Sequence, residues 1–217
     1  MEVAFFERVI RPNFDGHYFE RLEETICGVF ASSDYRARAE GRVLASQLSF
    51  ARGSERYFAV QQAVMAVSLD LGAEEVTARS GNFPMPMAGH KRFVVAVCIT
   101  DSLKRLYGSK ARRLLASINA VLEPFQPDFF DPDEPKTSDT YFGMVVVAKR
   151  QGPDQRQPAA IYFGVPSSTL RSWHFYERID NLIALYDAAS TSQPRLTKPR
   201  LRKVARSATK TKFRKPK

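Results

Sequence analysis

Residues 93–100 read Phe93-Val94-Val95-Ala96-Val97-Cys98-Ile99-Thr100, followed directly by Asp101-Ser102. A half-exposed strand alternates apolar and polar residues, but here both alternating faces are apolar. Such a strand expects cover on both sides and belongs in the middle of a sheet with helices packed around it.

The stretches after it supply more sheet. Residues 140–149, around Met144-Val145-Val146-Val147, and residues 159–165 read as strands. Gly152-Pro153-Asp154 lies between them, which makes an antiparallel hairpin the simplest connection. Residues 75–79 offer a shorter strand, and residues 3–9 either a strand or a helical lead-in that Pro12 stops.

Helices come first in the chain. From Asp15 as N-cap, Tyr18, Phe19, Leu22, Ile26, Val29 and Phe30 fall on one helical face, with an expected end near Ser32-Ser33. Residues 36–51 form a weaker helical segment on Leu44 and Leu48, and Gly53-Ser54 is expected to break and recap the chain. Tyr57, Val60, Val64, Val67 and Leu71 then recur at helical spacing up to Gly72, a C-cap residue. Two prolines and two glycines in residues 80–90 argue against regular structure there, while Phe83, Met85 and Met87 require the segment to pack as an ordered arm.

Two further helices are expected. Ser109 caps one whose Leu114, Leu115, Ile118, Val121 and Leu122 face inward while Lys110, Arg112 and Arg113 stay outside. Ser167 or Ser168 caps a final one carrying Leu170, Trp173, Ile179, Leu182, Ile183 and Tyr186. Order should end near Ala189. The order of elements predicts an α+β fold: N-terminal helices on a short mixed β-sheet, a C-terminal helix and a disordered basic tail. One globular domain is expected over residues 1–190 and the tail over residues 191–217.

Composition limits the class. Of 217 residues, 44% are hydrophobic and 26% charged, the balance of an ordinary globular protein. No apolar run approaches the roughly 20 residues of a membrane span, and the first residues lack the pattern of an export signal. An intracellular protein is expected: cytoplasmic or nucleoid-associated, or nuclear if eukaryotic or delivered to a host. Cys27 and Cys98 read as small buried hydrophobes, and the three histidines, His17, His90 and His174, are too scattered for a zinc site. No cofactor is implied.

The net charge of +10 is unevenly placed. Of 33 Lys and Arg, eleven lie in residues 195–217 with no acid among them, leaving 22 against all 23 acids, a net −1 for the remainder. The eleven are Arg195, Lys198, Arg200, Arg202, Lys203, Arg206, Lys210, Lys212, Arg214, Lys215 and Lys217. With little to bury, this segment does not offset its chain entropy and is expected to be disordered until it meets a partner. Cations on a flexible strand suit a polyanion, because each phosphate contact releases a counterion. A solubilising extension or an address read by a transport receptor would use the same residues.

Other candidates are weaker. Residues 124–139 hold four prolines, three phenylalanines and five acids, marking a functional loop. Asp128, Asp131, Asp133 and Glu134 offer oxygen ligands to a hard cation but lack the glycine and alternation of a calcium loop; they serve equally as solvated acids or as a cis partner for the tail. His90 and Asp101, at the two ends of the central strand, are the catalytic candidates, with a hydrogen-bonded or solvated role as the alternative for His90. His174 is read as helix surface. Arg79, Lys91, Arg92, Lys149 and Arg150 would form a basic edge if their strand ends lie together. Backbone amides at Ser167, Ser168 and Thr169 would receive an anion or simply cap a helix.

No phosphate loop, serine elbow or metal-spaced histidine pair is present. The expected function is therefore a non-enzymatic, nucleic-acid-associated binding or accessory protein that attaches through its tail, with a possible protein partner for the body. The alternatives are a metal-dependent enzyme acting on phosphorylated or nucleic-acid substrates, and an interaction or effector module whose tail is a targeting signal.

Overall fold

The computed structural model describes residues 3–39, 48–80, 83–100, 109–123, 139–150 and 156–192. A short α1 (Val3–Phe5) and a π-helical turn (Phe6–Ile10) lead into α2 (Gly16–Ala39) and α3 (Leu48–Asp70). Then come β1 (Glu74–Ser80), β2 (Phe83–His90), β3 (Phe93–Thr100), α4 (Lys110–Ala116) with a 3-10 turn (Ser117–Leu122), β4 (Tyr141–Ala148), β5 (Ala160–Pro166), β6 (Trp173–Arg178) and α5 (Ile179–Ser192).

The six strands lie in sequence order, β1-β2-β3-β4-β5-β6. Neighbours are antiparallel except β3 and β4, which run parallel over Phe93–Tyr141 to Thr100–Ala148. β3 is central and buried on both faces, as its composition requires. Phe93, Val95 and Val97 join Val145, Val147, Ile161, Phe163 and Val165 in the larger core, against Phe19, Leu22 and Ile26 of α2, Val60 and Val64 of α3 and Leu182 of α5. Ala96 and Cys98 turn the other way, into a smaller core with Phe142, Met144, Val146 and Ala111 and Ala116 of α4. Small side chains on both partners let this short helix lie close to the sheet.

The chain is thus an α+β fold with helices and a mixed sheet. The Asp15 carboxylate accepts the Tyr18 N–H at 2.8 Å and starts α2. Gly72, with φ of 83°, ends α3: its N–H donates to Leu69 O and that of Ala73 to Ser68 O, the pairing of a Schellman cap. Among the described residues no helix is long and apolar enough to cross a membrane.

Several expectations are corrected. α2 continues past Ser32-Ser33 to Ala39, and α3 runs unbroken through Gly53-Ser54. One interior glycine costs a helix about 1 kcal/mol, and burial of Val60, Val64 and Val67 outweighs it. The proline-rich segment is a strand, β2, paired with β1 from Phe83 to Gly89. His90 and Phe93 close a two-residue turn, so the backbone polar groups of His90, Ala88 and, by alternation, Pro86 and Pro84 point toward β3 and away from β1. Of β2 only Ala88–His90 pair with β3, so neither proline removes a ladder bond.

The expected final helix divides. Residues 167–172 turn, β6 pairs with β5, and only then does α5 begin. Trp173-His174-Phe175-Tyr176 has strand-forming residues, and sheet pairing overrides the helical spacing of its apolar positions. Pro166 stands opposite Trp173 and Val165 opposite Phe175, so His174 is an extra residue, a bulge. It brings Trp173 to the same side of the sheet as Tyr176. In α4 the expected faces are partly exchanged: Ala111, Ala116 and Asn119 are buried, while Leu114 and Val121 face solvent.

Candidate functional site

His90 ends β2 with its ring buried, stacked on Tyr18 at 5.4 Å and close to Phe14 at 4.9 Å. Burial first, and then the Lys91 charge, lower its pKa from 6.5, with Asp15 acting in the opposite sense. The imidazole is thereby a neutral member of an aromatic cluster. Lys91 adopts φ of 51° in the turn and its Nζ donates to Pro12 O at 3.1 Å. Arg92 donates to the Asp139 carbonyl and carboxylate at 2.7 and 3.0 Å and lies 5.1 Å over the Tyr141 ring. These two cations fasten the β2–β3 turn to the N-terminal segment and to the start of β4.

The predicted basic edge divides between two ends of the sheet. Lys149 follows β4, where its N–H donates to Thr100 O at 2.9 Å. Eight paired positions of β3 and β4 separate it and Arg150 from Lys91 and Arg92, a span of about 25 Å at strand rise. Arg79 pairs with Pro84 toward the Thr100 end, with β2 and β3 between it and β4. Asp101, Asp128, Asp131, Asp133, Glu134 and the eleven tail cations lie outside the described residues. Among the described residues no three His, Cys, Asp or Glu are grouped to hold a metal. Burial raises the pKa of both thiols: that of Cys27 with help from Glu23, that of Cys98 against the pull of Arg112.

A polar cluster without local sequence signal lies at the Phe93 end of the sheet. The Ser168 N–H donates to Glu123 Oε1 at 2.7 Å and its hydroxyl to Oε2 at 2.9 Å. His174, on β6 rather than a helix surface, brings Nε2 within 3.6 Å of Oε1. Burial works against the Glu123 charge, but the two Ser168 bonds and His174 prevail, and its pKa is lowered. The carboxylate stands between hydroxyl and imidazole, so the hydroxyl proton is aimed at Glu123, whose lowered pKa makes it a weak base, and not at the imidazole of a serine–histidine pair. The Ser168 amide does receive an anion, supplied by the chain itself. Beside this latch, buried Asn119 donates to Phe142 O at 2.9 Å and Pro166 O at 2.7 Å and accepts the Phe142 N–H at 2.8 Å. Together they hold the turn after β5 to the end of the 3-10 helix.

On the same face, Tyr162 and Tyr176 stack at 4.7 Å and 8°, and Trp173 lies 4.5 Å from Tyr176. Burial, then Tyr162 and Cys98, push the Tyr176 phenol well above its ordinary pKa. Next to this row, Arg112 turns inward from α4 to donate to Val97 O at 3.2 Å. The outer side of α4 and its 3-10 extension instead presents Leu114, 73% exposed, and Val121, 39% exposed. No family model matches the chain, and no curated protein and no solved structure matches it either.

Proposed function

We propose that this is a non-enzymatic, nucleic-acid-associated accessory protein that attaches electrostatically through residues 195–217, while its body, one domain over residues 1–190, makes a separate contact. The observation that carries the reading is the distribution of charge: eleven cations and no acid in the last 23 residues, against a remainder of net −1. Phosphate neutralisation by such a segment yields affinity without base reading, since Phe213 is its sole aromatic ring. Several groups that would carry chemistry are engaged internally, which supports a binding role. His90 is neutral in its aromatic cluster, Glu123 is held by Ser168, and both thiols are raised. Attachment of this kind belongs inside the cell, where nucleic acid is an abundant polyanion.

The test is binding of duplex and single-stranded oligonucleotides by the full chain and by a variant ending at Ser192, across a salt series. Steep salt dependence that vanishes with the tail is expected. Equal binding by the shortened chain would move the site into the fold, and absence of binding by both would turn the tail into an address signal.

A further inference from the structure

The outer side of α4 and its 3-10 extension carries three large apolar residues, Leu114, Ile118 and Val121, among polar Lys110, Arg113 and Ser117. Lys110, Arg113, Leu114, Ser117, Ile118 and Val121 recur at intervals of three and four, so they share one side. In the 3-10 turn residues three apart eclipse, which sets Val121 directly behind Ile118. All six are exposed except half-buried Ile118, and Leu114 at 73% is the most exposed large apolar residue described. The opposite side, with Ala111 and Ala116, is already committed to the smaller core.

Charge gives this stripe a direction. Residues 109–122 contain three cations and no acid. Arg112 spends its guanidinium on the sheet, so Lys110 and Arg113 head the exposed apolar row. We infer that this face docks an amphipathic, acid-flanked segment of a partner protein, its apolar side chains on Leu114, Ile118 and Val121 and its carboxylates at Lys110 and Arg113. A basic segment would meet like charge, and a phosphate backbone would leave the apolar row in water. The contact does not depend on the tail and stands or falls separately from tail-mediated attachment.

The test uses full-length protein and a fluorescent synthetic peptide about five helical turns long, with leucines at i, i+3, i+4 and i+7 and glutamates flanking them, read by polarisation. Saturable binding is expected with a Kd below about 100 µM. Leu114→Glu should raise Kd about ten-fold or more, and Lys110→Glu with Arg113→Glu should raise it several-fold and flatten its salt dependence. The same peptide with lysines for glutamates should bind about ten-fold more weakly. These positions are exposed, so the variants should keep wild-type circular dichroism and oligonucleotide binding; Leu114→Ser replaces Leu114→Glu if the latter misfolds. Failure of the wild type to saturate, undiminished binding by both Leu114 variants, or equal binding of the lysine peptide overturns the proposal. So does a loss of oligonucleotide binding in the Lys110/Arg113 variant with peptide binding unaffected, which would assign the face to nucleic acid.

Discussion

Gly164 has no side chain at the point where Trp173 and Tyr176 close over β5. A Cβ there would stand 2.5 Å from Trp173 Cζ3 and 2.8 Å from Tyr176 Cδ2, far inside contact distance. The rings pack on one another and on the smaller core, so Gly164→Ala should cost about 1–3 kcal/mol, the range for overpacking. Urea titration measures the loss, and emission from Trp173, the single tryptophan, reports displacement of the ring. His90 leads to a pH prediction. With its folded pKa lowered chiefly by burial, the unfolded chain takes up a proton near pH 6.5 while the folded chain resists it. Stability is therefore lost as pH falls from about 6.5 toward the folded value. His90→Phe keeps a ring against Phe14 and Tyr18 but does not titrate, and should flatten that part of a thermal unfolding series; an unchanged slope would assign it to other groups. Such roles were visible in the sequence as residue types and not as partners. Glu123 stands 45 positions from Ser168, and nothing local announces the pair.

Periodicity locates elements better than it fixes their ends or faces. The apolar face of α2 from Tyr18 to Phe30, the doubly buried β3, the β4–β5 hairpin and the Gly72 cap were all legible. The prolines of β2 were legible only as breakers, because their harmlessness depends on a register with β3 that no local pattern encodes. In α4 the side turned to the sheet is the one carrying the small Ala111 and Ala116, so Leu114 and, two turns on, Val121 come to the surface. Gly53 provides the test at this scale. It sits inside α3 with nothing within 4 Å of where a Cβ would stand, so Gly53→Ala should stabilise the protein by about 0.5–1 kcal/mol. A chemical denaturation midpoint that falls would mean the glycine answers a need other than helix formation.

For the whole molecule the sequence disclosed the class and the charge asymmetry but not the location of a site. Strand direction and order decide that Lys91 and Lys149 lie at opposite ends, and neither is written locally. Each neutralised duplex phosphate contributes about −0.9 to the slope of log K against log salt, so all eleven tail cations would give a slope near −10. A chain ending at Ser192 should fall to a slope near zero, and a persistent steep slope would place the phosphate contacts on the body. The sheet also has one seam unlike the others: residues 101–140, forty in number, separate the paired strands β3 and β4. The units β1–β2–β3 and β4–β5–β6 can each assemble from partners near in sequence, but the seam requires closing a long loop before any of its contacts is gained. The centre of the native sheet is accordingly the pairing for which the chain gives up the most freedom, since the forty residues between the two strands are drawn into a closed loop when Phe93 meets Tyr141.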